Sequence, residues 1–145
     1  MEKSSKNADF LKELHKNVQM GKYALEKLLP KCKDDSLKQE LLNEYHDFEA
    51  LASKISGEII SLHDTPESAT AMQNFMLKTA IGMNTLMDDS SENIADMVIQ
   101  GDNQGIMDIN RLINNAEYAT ETSHALAREL LEMEQRHIDA LKKFL

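Results

Sequence analysis

The sequence predicts an all-α fold, a bundle of four long helices with a fifth helix as a crossover, on three observations. Five Gly, two Pro and no Trp in 145 residues leave few turn formers, which argues against a sandwich or barrel. Apolar residues recur at helical spacing through most of the chain, and capping and stop signals divide it into segments at about 8–29, 34–62, 67–87, 90–114 and 117–144. The length is that of one domain, residues 1–145, with one core.

The first segment carries Phe10, Leu14, Val18, Gly21, Leu25 and Leu28 on one stripe and stops at Pro30, because a proline drives the residue before it out of helical backbone. Asp34, Asp35 and Ser36 offer capping oxygens to the second segment, and Ser36 with Gln39 fits a capping box. Leu37, Leu41, Tyr45, Phe48, Ala52, Ile55, Ile59 and Leu62 then share a face. Thr65, Pro66 and Glu67 read as the cap, first position and acidic first turn of the third segment. Its Met72, Met76, Met83 and Met87 complete an ordinary amphipathic face and read as flexible core filler rather than soft-metal ligands. Asp89 and Glu92 open the fourth segment, with Ile94, Val98, Gly101, Gly105, Ile109 and Leu112 on one side. The fifth begins near Glu117 and aligns Leu126, Leu130, Met133, His137, Leu141 and Phe144.

Short turns after Pro30 and Asn114 make segments one and two an antiparallel hairpin, and segments four and five another. A third helix of about 20 residues spans roughly 30 Å. It can therefore return the chain along the bundle, so that segment four starts beside the start of segment two.

Composition also excludes functions. A net charge of −9, with ten carboxylates against Lys78 and Arg111 between Asp64 and Glu121, disfavours nucleic acid, whose binding needs clustered cations that displace counterions. The longest apolar runs are three residues, where a membrane span needs about 20. No apolar stretch follows the charged start, so a secretory signal is not expected and the cytoplasm is the expected compartment. The single Cys32 can build neither an intrachain disulfide nor a thiolate cluster, although Lys31 and Lys33 beside it favour a thiolate. No nucleophile triad, phosphate loop or dinucleotide fingerprint occurs, so no small-molecule substrate is assigned.

The helix order, together with the stretches Lys27 to Lys31, Ile99 to Ile106 and Glu134 to Ile138, resembles the ferritin-like superfamily, and in particular its small bacterial members without an assigned activity. That resemblance implies two helical hairpins joined by a long crossover and a core able to hold metal on carboxylates and histidines. In the di-iron members two helices each supply a Glu and the other two each supply Glu-x-x-His.

One such motif is present, Glu134 to His137. Stepping about 100° per residue sets both side chains inside the stripe defined by Leu126, Leu130 and Leu141. By the same test Glu44 lies between Leu37 and Leu51, Asp102 falls in the face of Val98, Gly105 and Ile109, and His46 points away. Registering the helices from their shared end brings Glu44 level with His137, with Asp102 about one turn lower, and Gly21 and Gly101 leaving room nearby. Glu44, Asp102, Glu134 and His137 are therefore the expected metal ligands. The set departs from the di-iron pattern: Glu13 and Glu26 point off the first stripe, and the second segment has only the reversed His46-Asp47-Phe48-Glu49. His15 and His124 sit at stripe edges and read as surface or boundary residues.

The expectation is a ferritin-like bundle with an incomplete or absent di-metal site, non-enzymatic or weakly metal-binding, with no cofactor or one of iron, manganese and zinc. An iron- or manganese-dependent oxidase using those four residues is the second reading, and a metal-free helical interaction module the third. Apolar helix faces make a homo-oligomer the expected partner state.

Overall fold

The computed structural model describes residues 2–66 and 88–145. The expected third helix, 67–87, lies outside the described residues, and so does its methionine stripe. Four long helices account for most of the rest: α1 (Glu2–Leu28), α2 (Asp35–Ser61), α3 (Ser91–Asn115) and α4 (Glu121–Leu141). Short 3₁₀ turns at Leu29–Lys31 and Lys142–Phe144 follow α1 and α4.

Local chemistry sets each boundary. Pro30 sits in the 3₁₀ turn that ends α1, and Asp34 then caps α2 by accepting from the Leu37 amide at 2.9 Å. The expected Ser36 to Gln39 box does not form the cap, because the aspartate two residues upstream has already taken that position and Ser36 lies inside the first turn. Likewise Ser90, not Asp89, caps α3 through the Asn93 amide at 3.2 Å. Helix α4 starts at Glu121, four residues later than expected, capped by Thr120 on the Ser123 amide. The delay has a cause in α1. Asn7, fully buried, accepts from the Thr120 amide at 3.0 Å and from the Ser123 hydroxyl at 2.6 Å. That side chain holds the residues before α4 out of helical backbone, and Glu117, expected to open the helix, instead pairs with Lys6.

Ion pairs between helix ends fix the topology. Lys33, in the α1–α2 turn, reaches Asp89 at the start of α3 (3.1 Å), and Lys143 after α4 reaches Glu40 near the start of α2 (3.5 Å). At the opposite end Lys12 meets Asp64 just past α2 (2.8 Å). Helices α2 and α3 therefore run in the same direction, opposite to α1 and α4. Each hairpin lies side by side with the other, α1 against α3 and α2 against α4. The chain leaves α2 at one end of the bundle and enters α3 at the other, so that α3 starts beside the start of α2, as the segment order predicts.

Between the helices sits one apolar core, with Leu11, Leu14 and Val18 from α1, Leu41, Phe48 and Ile55 from α2, Ile94 and Ile109 from α3, and Leu130 from α4. At Gly21 a Cβ would lie 2.8 Å from the Phe48 ring, so the missing side chain lets α1 and α2 approach. Tyr45, expected on the core face, is only half-buried, and its hydroxyl donates to Glu26 at 3.0 Å. His15 is buried, not a surface or boundary residue, while His124 does lie at the boundary with its ring against Phe10. Cys32 is buried too. Loss of solvation pushes its thiol upward, against the thiolate expected from its lysine neighbours. Among the described residues no helix is long and apolar enough to cross a membrane.

Candidate metal centre

A buried ionisable side chain must find a partner, a proton or a cation. The bundle buries four such groups in one region: Glu44, Asp102, Glu134 and His137 are 1, 5, 3 and 8% exposed. All four face inward, as their positions on the helical stripes predict. Glu44 from α2, Asp102 from α3 and His137 from α4 each offer one ligand atom, and these atoms lie within 4.8 Å of one another. Side-chain reach thus closes the one-turn offset expected for Asp102.

Glu134 is buried beside this group without completing it. Its carboxyl fills the place where Gly105 has no side chain: a Cβ there would lie 2.8 Å from Oε2. Gly105 thus provides the room that the sequence suggested for Gly101, which is exposed and would find no atom within 4 Å of an added Cβ. The reason is angular. Four residues carry a helix about 40° past a full turn, which separates a glycine under α4 from one facing outward.

Polar atoms in this cluster are left without partners. Both Glu44 oxygens, Asp102 Oδ2, Glu134 Oε2 and His137 Nδ1 form no hydrogen bond among the described residues. His137 Nδ1 stands 3.3 Å from Glu44 Oε1, an ion-pair distance without hydrogen-bond geometry. Two ionised carboxylates offer each other no donor, so without a cation a proton must enter the group. Burial, opposed by contact with Asp102 and reinforced by the charge of Glu134, pushes Glu44 up to about 7. Burial and then the charge of Glu44 push Asp102 up to about 10. Glu134 is pushed up to about 9, by burial and then by the charges of Asp102 and Asp108.

Helical patterning missed one residue. Asp47, half-exposed and one turn beyond Glu44, approaches His137 Nε2 to 2.9 Å through Oδ2. Its signal was its spacing of three from Glu44, which puts both carboxylates on one side of α2. Phe48 also meets the His137 ring edge-on, with centroids 5.7 Å apart. Glu13 and Glu26 are exposed on α1, so that helix adds no carboxylate to the centre, and His46 is exposed as expected. A cavity of about 240 Å³ between α1 and α3 reaches Glu44, Asp102 and Glu134 past Met20, Leu25, Met97 and Val98.

Among the described residues, fold and centre together define a bundle of four long helices with a buried carboxylate and histidine cluster. The chain belongs to the family described as Domain of unknown function (DUF2383), whose model matches residues 6–115. The matched span contains Glu44, Asp47 and Asp102 and ends before Glu134 and His137. No curated protein and no solved structure matches the chain.

Proposed function

We propose that this protein is a ferritin-like bundle that holds one divalent metal ion, iron, manganese or zinc, on Glu44, Asp102 and His137. The reading is carried by three ligand atoms from three helices within 4.8 Å, all on buried residues. The unpartnered oxygens and imidazole nitrogen fit such an ion, which would replace the protons the carboxyls otherwise need. An imidazole with carboxylate oxygens suits first-row divalent metals. One ion fits better than a pair, because α1 brings no carboxylate inward and α2 no histidine. Glu134, turned into the space at Gly105, would then be a buried neighbour of the ion rather than a ligand.

Elemental analysis of protein purified without chelator and without a metal-affinity tag tests the proposal directly. Titration should follow, with manganese, zinc or ferrous iron raising the thermal midpoint. A ligand confined to the folded state stabilises it by about 2.7 kcal/mol at a hundredfold excess over Kd. His137→Ala should abolish the increment. Equal midpoints with and without all three metals would reject the site and leave a metal-free polar cluster in a helical interaction module. The cavity beside Glu44 and Asp102 favours a second reading, an iron- or manganese-dependent oxidase with access for a small molecule. Metal-loaded protein that consumes no oxygen with ferrous iron would exclude iron-dependent oxidation, and a parallel assay with Mn²⁺ would decide the manganese form.

A further inference from the structure

The two ring nitrogens of His137 face different surroundings. Nε2 meets the half-exposed Asp47 at 2.9 Å with hydrogen-bond geometry, whereas Nδ1 is buried toward Glu44 and makes no hydrogen bond. A carboxylate accepts and cannot donate, so the hydrogen of the Asp47 contact belongs to Nε2. A neutral imidazole has only one N–H, and placing it on Nε2 leaves Nδ1 unprotonated on the buried side of the ring, 3.3 Å from Glu44 Oε1. The edge-on Phe48 ring restricts the imidazole plane.

We infer that Asp47 is a positioning residue, which locks His137 in the Nε2–H tautomer and so presents Nδ1 as the metal-binding atom of the centre. The inference builds on the metal reading above, yet its tautomer is a property of the metal-free protein. Without Asp47, Nε2 loses its carboxylate acceptor, and the hydrogen is no longer held there and can move to Nδ1, 3.3 Å from Glu44 Oε1. Metal would then have to displace it. A carboxylate held against the far nitrogen of a ligating histidine orients the ring and raises its basicity, and losing one typically costs 10–100-fold in affinity. Asp47 lies outside the core, so this effect should appear without a comparable loss of fold.

Long-range nitrogen–proton NMR of the metal-free protein, with His137 assigned by its loss in His137→Gln, tests the tautomer. The expected spectrum near neutral pH has a protonated Nε2 and an unprotonated Nδ1. Asp47→Ala should move the population toward Nδ1–H, lower Mn²⁺ or Zn²⁺ affinity by about 10–100-fold, and barely change the metal-free thermal midpoint. Asp47→Asn, which keeps an acceptor oxygen, should restore part of the Nε2–H population. Protonation of Nδ1 in the wild type, alone or with Nε2 as an imidazolium, would overturn the inference. So would a tautomer unchanged in Asp47→Ala. If the tautomer shifts as expected but neither protein takes up metal, the positioning role stands and the proposed function fails.

Discussion

At the scale of single residues, the two glycines of α3 give opposite predictions although they are four positions apart. Gly101 is exposed in a helix interior with nothing near an added Cβ. There alanine relieves the backbone entropy cost of glycine, and Gly101→Ala should stabilise the fold by about 0.5–1 kcal/mol. At Gly105 the new methyl would meet the buried Glu134 carboxyl, which would have to shift toward the cavity it lines and give up its present place in the cluster. Gly105→Ala should destabilise by about 1–3 kcal/mol, the usual range for overpacking. Urea unfolding of both variants checks the pair, and equal signs would contradict the helix rotation. The inward direction of Glu44, Asp102, Glu134 and His137 was legible in the sequence because each lies within an apolar stripe whose period is fixed by the helix. Asp47 was not, since it sits at the stripe's edge and acquires its role only from a histidine 90 positions away. The Cys32 thiol was misread for a related reason. Flanking lysines are visible in sequence, whereas burial of the loop depends on the packing of whole helices.

At the scale of helices, the number and direction of the four described elements followed from periodicity, but their starts did not, and α1 begins at Glu2 rather than near residue 8. Capping signals are crowded in Asp34-Asp35-Ser36 and in Asp88-Asp89-Ser90, and more than one residue in each run could accept from the first turn. Selection among them is cooperative with packing. The start of α4 shows the limit most clearly, because its determinant is Asn7, on another helix. Removing the Asn7 amide leaves the Thr120 N–H and the Ser123 hydroxyl without their acceptor at a buried junction. Asn7→Ala should therefore cost about 1–3 kcal/mol, and hydrogen exchange should quicken first at the amides opening α4. The α2 cap offers a comparison, since it is local and partly exposed. Asp34→Ala should cost about 0.5–2 kcal/mol, with no change at α4.

At the scale of the whole molecule, the buried carboxyls make stability depend on pH in the direction opposite to that of salt-bridged acids. Carboxyls of an unfolded chain titrate near 4, whereas Glu44, Glu134 and Asp102 in the fold are pushed up to about 7, 9 and 10. Between those limits the native state holds more protons than the unfolded state. Unfolding free energy then falls with rising pH, by up to about 1.4 kcal/mol per pH unit for each proton retained. The contribution is complete below about pH 4 and is lost as pH climbs, first through the range of Glu44 and last through that of Asp102. Asp64, Asp88 and Asp139 are shifted downward by their hydrogen-bond partners, so their opposite contribution changes only in more acidic solution. Chelator-treated protein should accordingly lose thermal stability steadily from about pH 5 to pH 8. The double variant Glu44→Gln, Asp102→Asn, whose amides cannot ionise, should flatten much of that slope. Saturating Mn²⁺ or Zn²⁺ should oppose it, because the ion binds only deprotonated ligands and gains affinity as pH rises. Midpoints measured at four pH values, with chelator and with metal, give the whole pattern. A chelated protein whose stability rises with pH across this window, or a double variant with the wild-type slope, would mean that the three carboxyls are not buried together in the folded molecule.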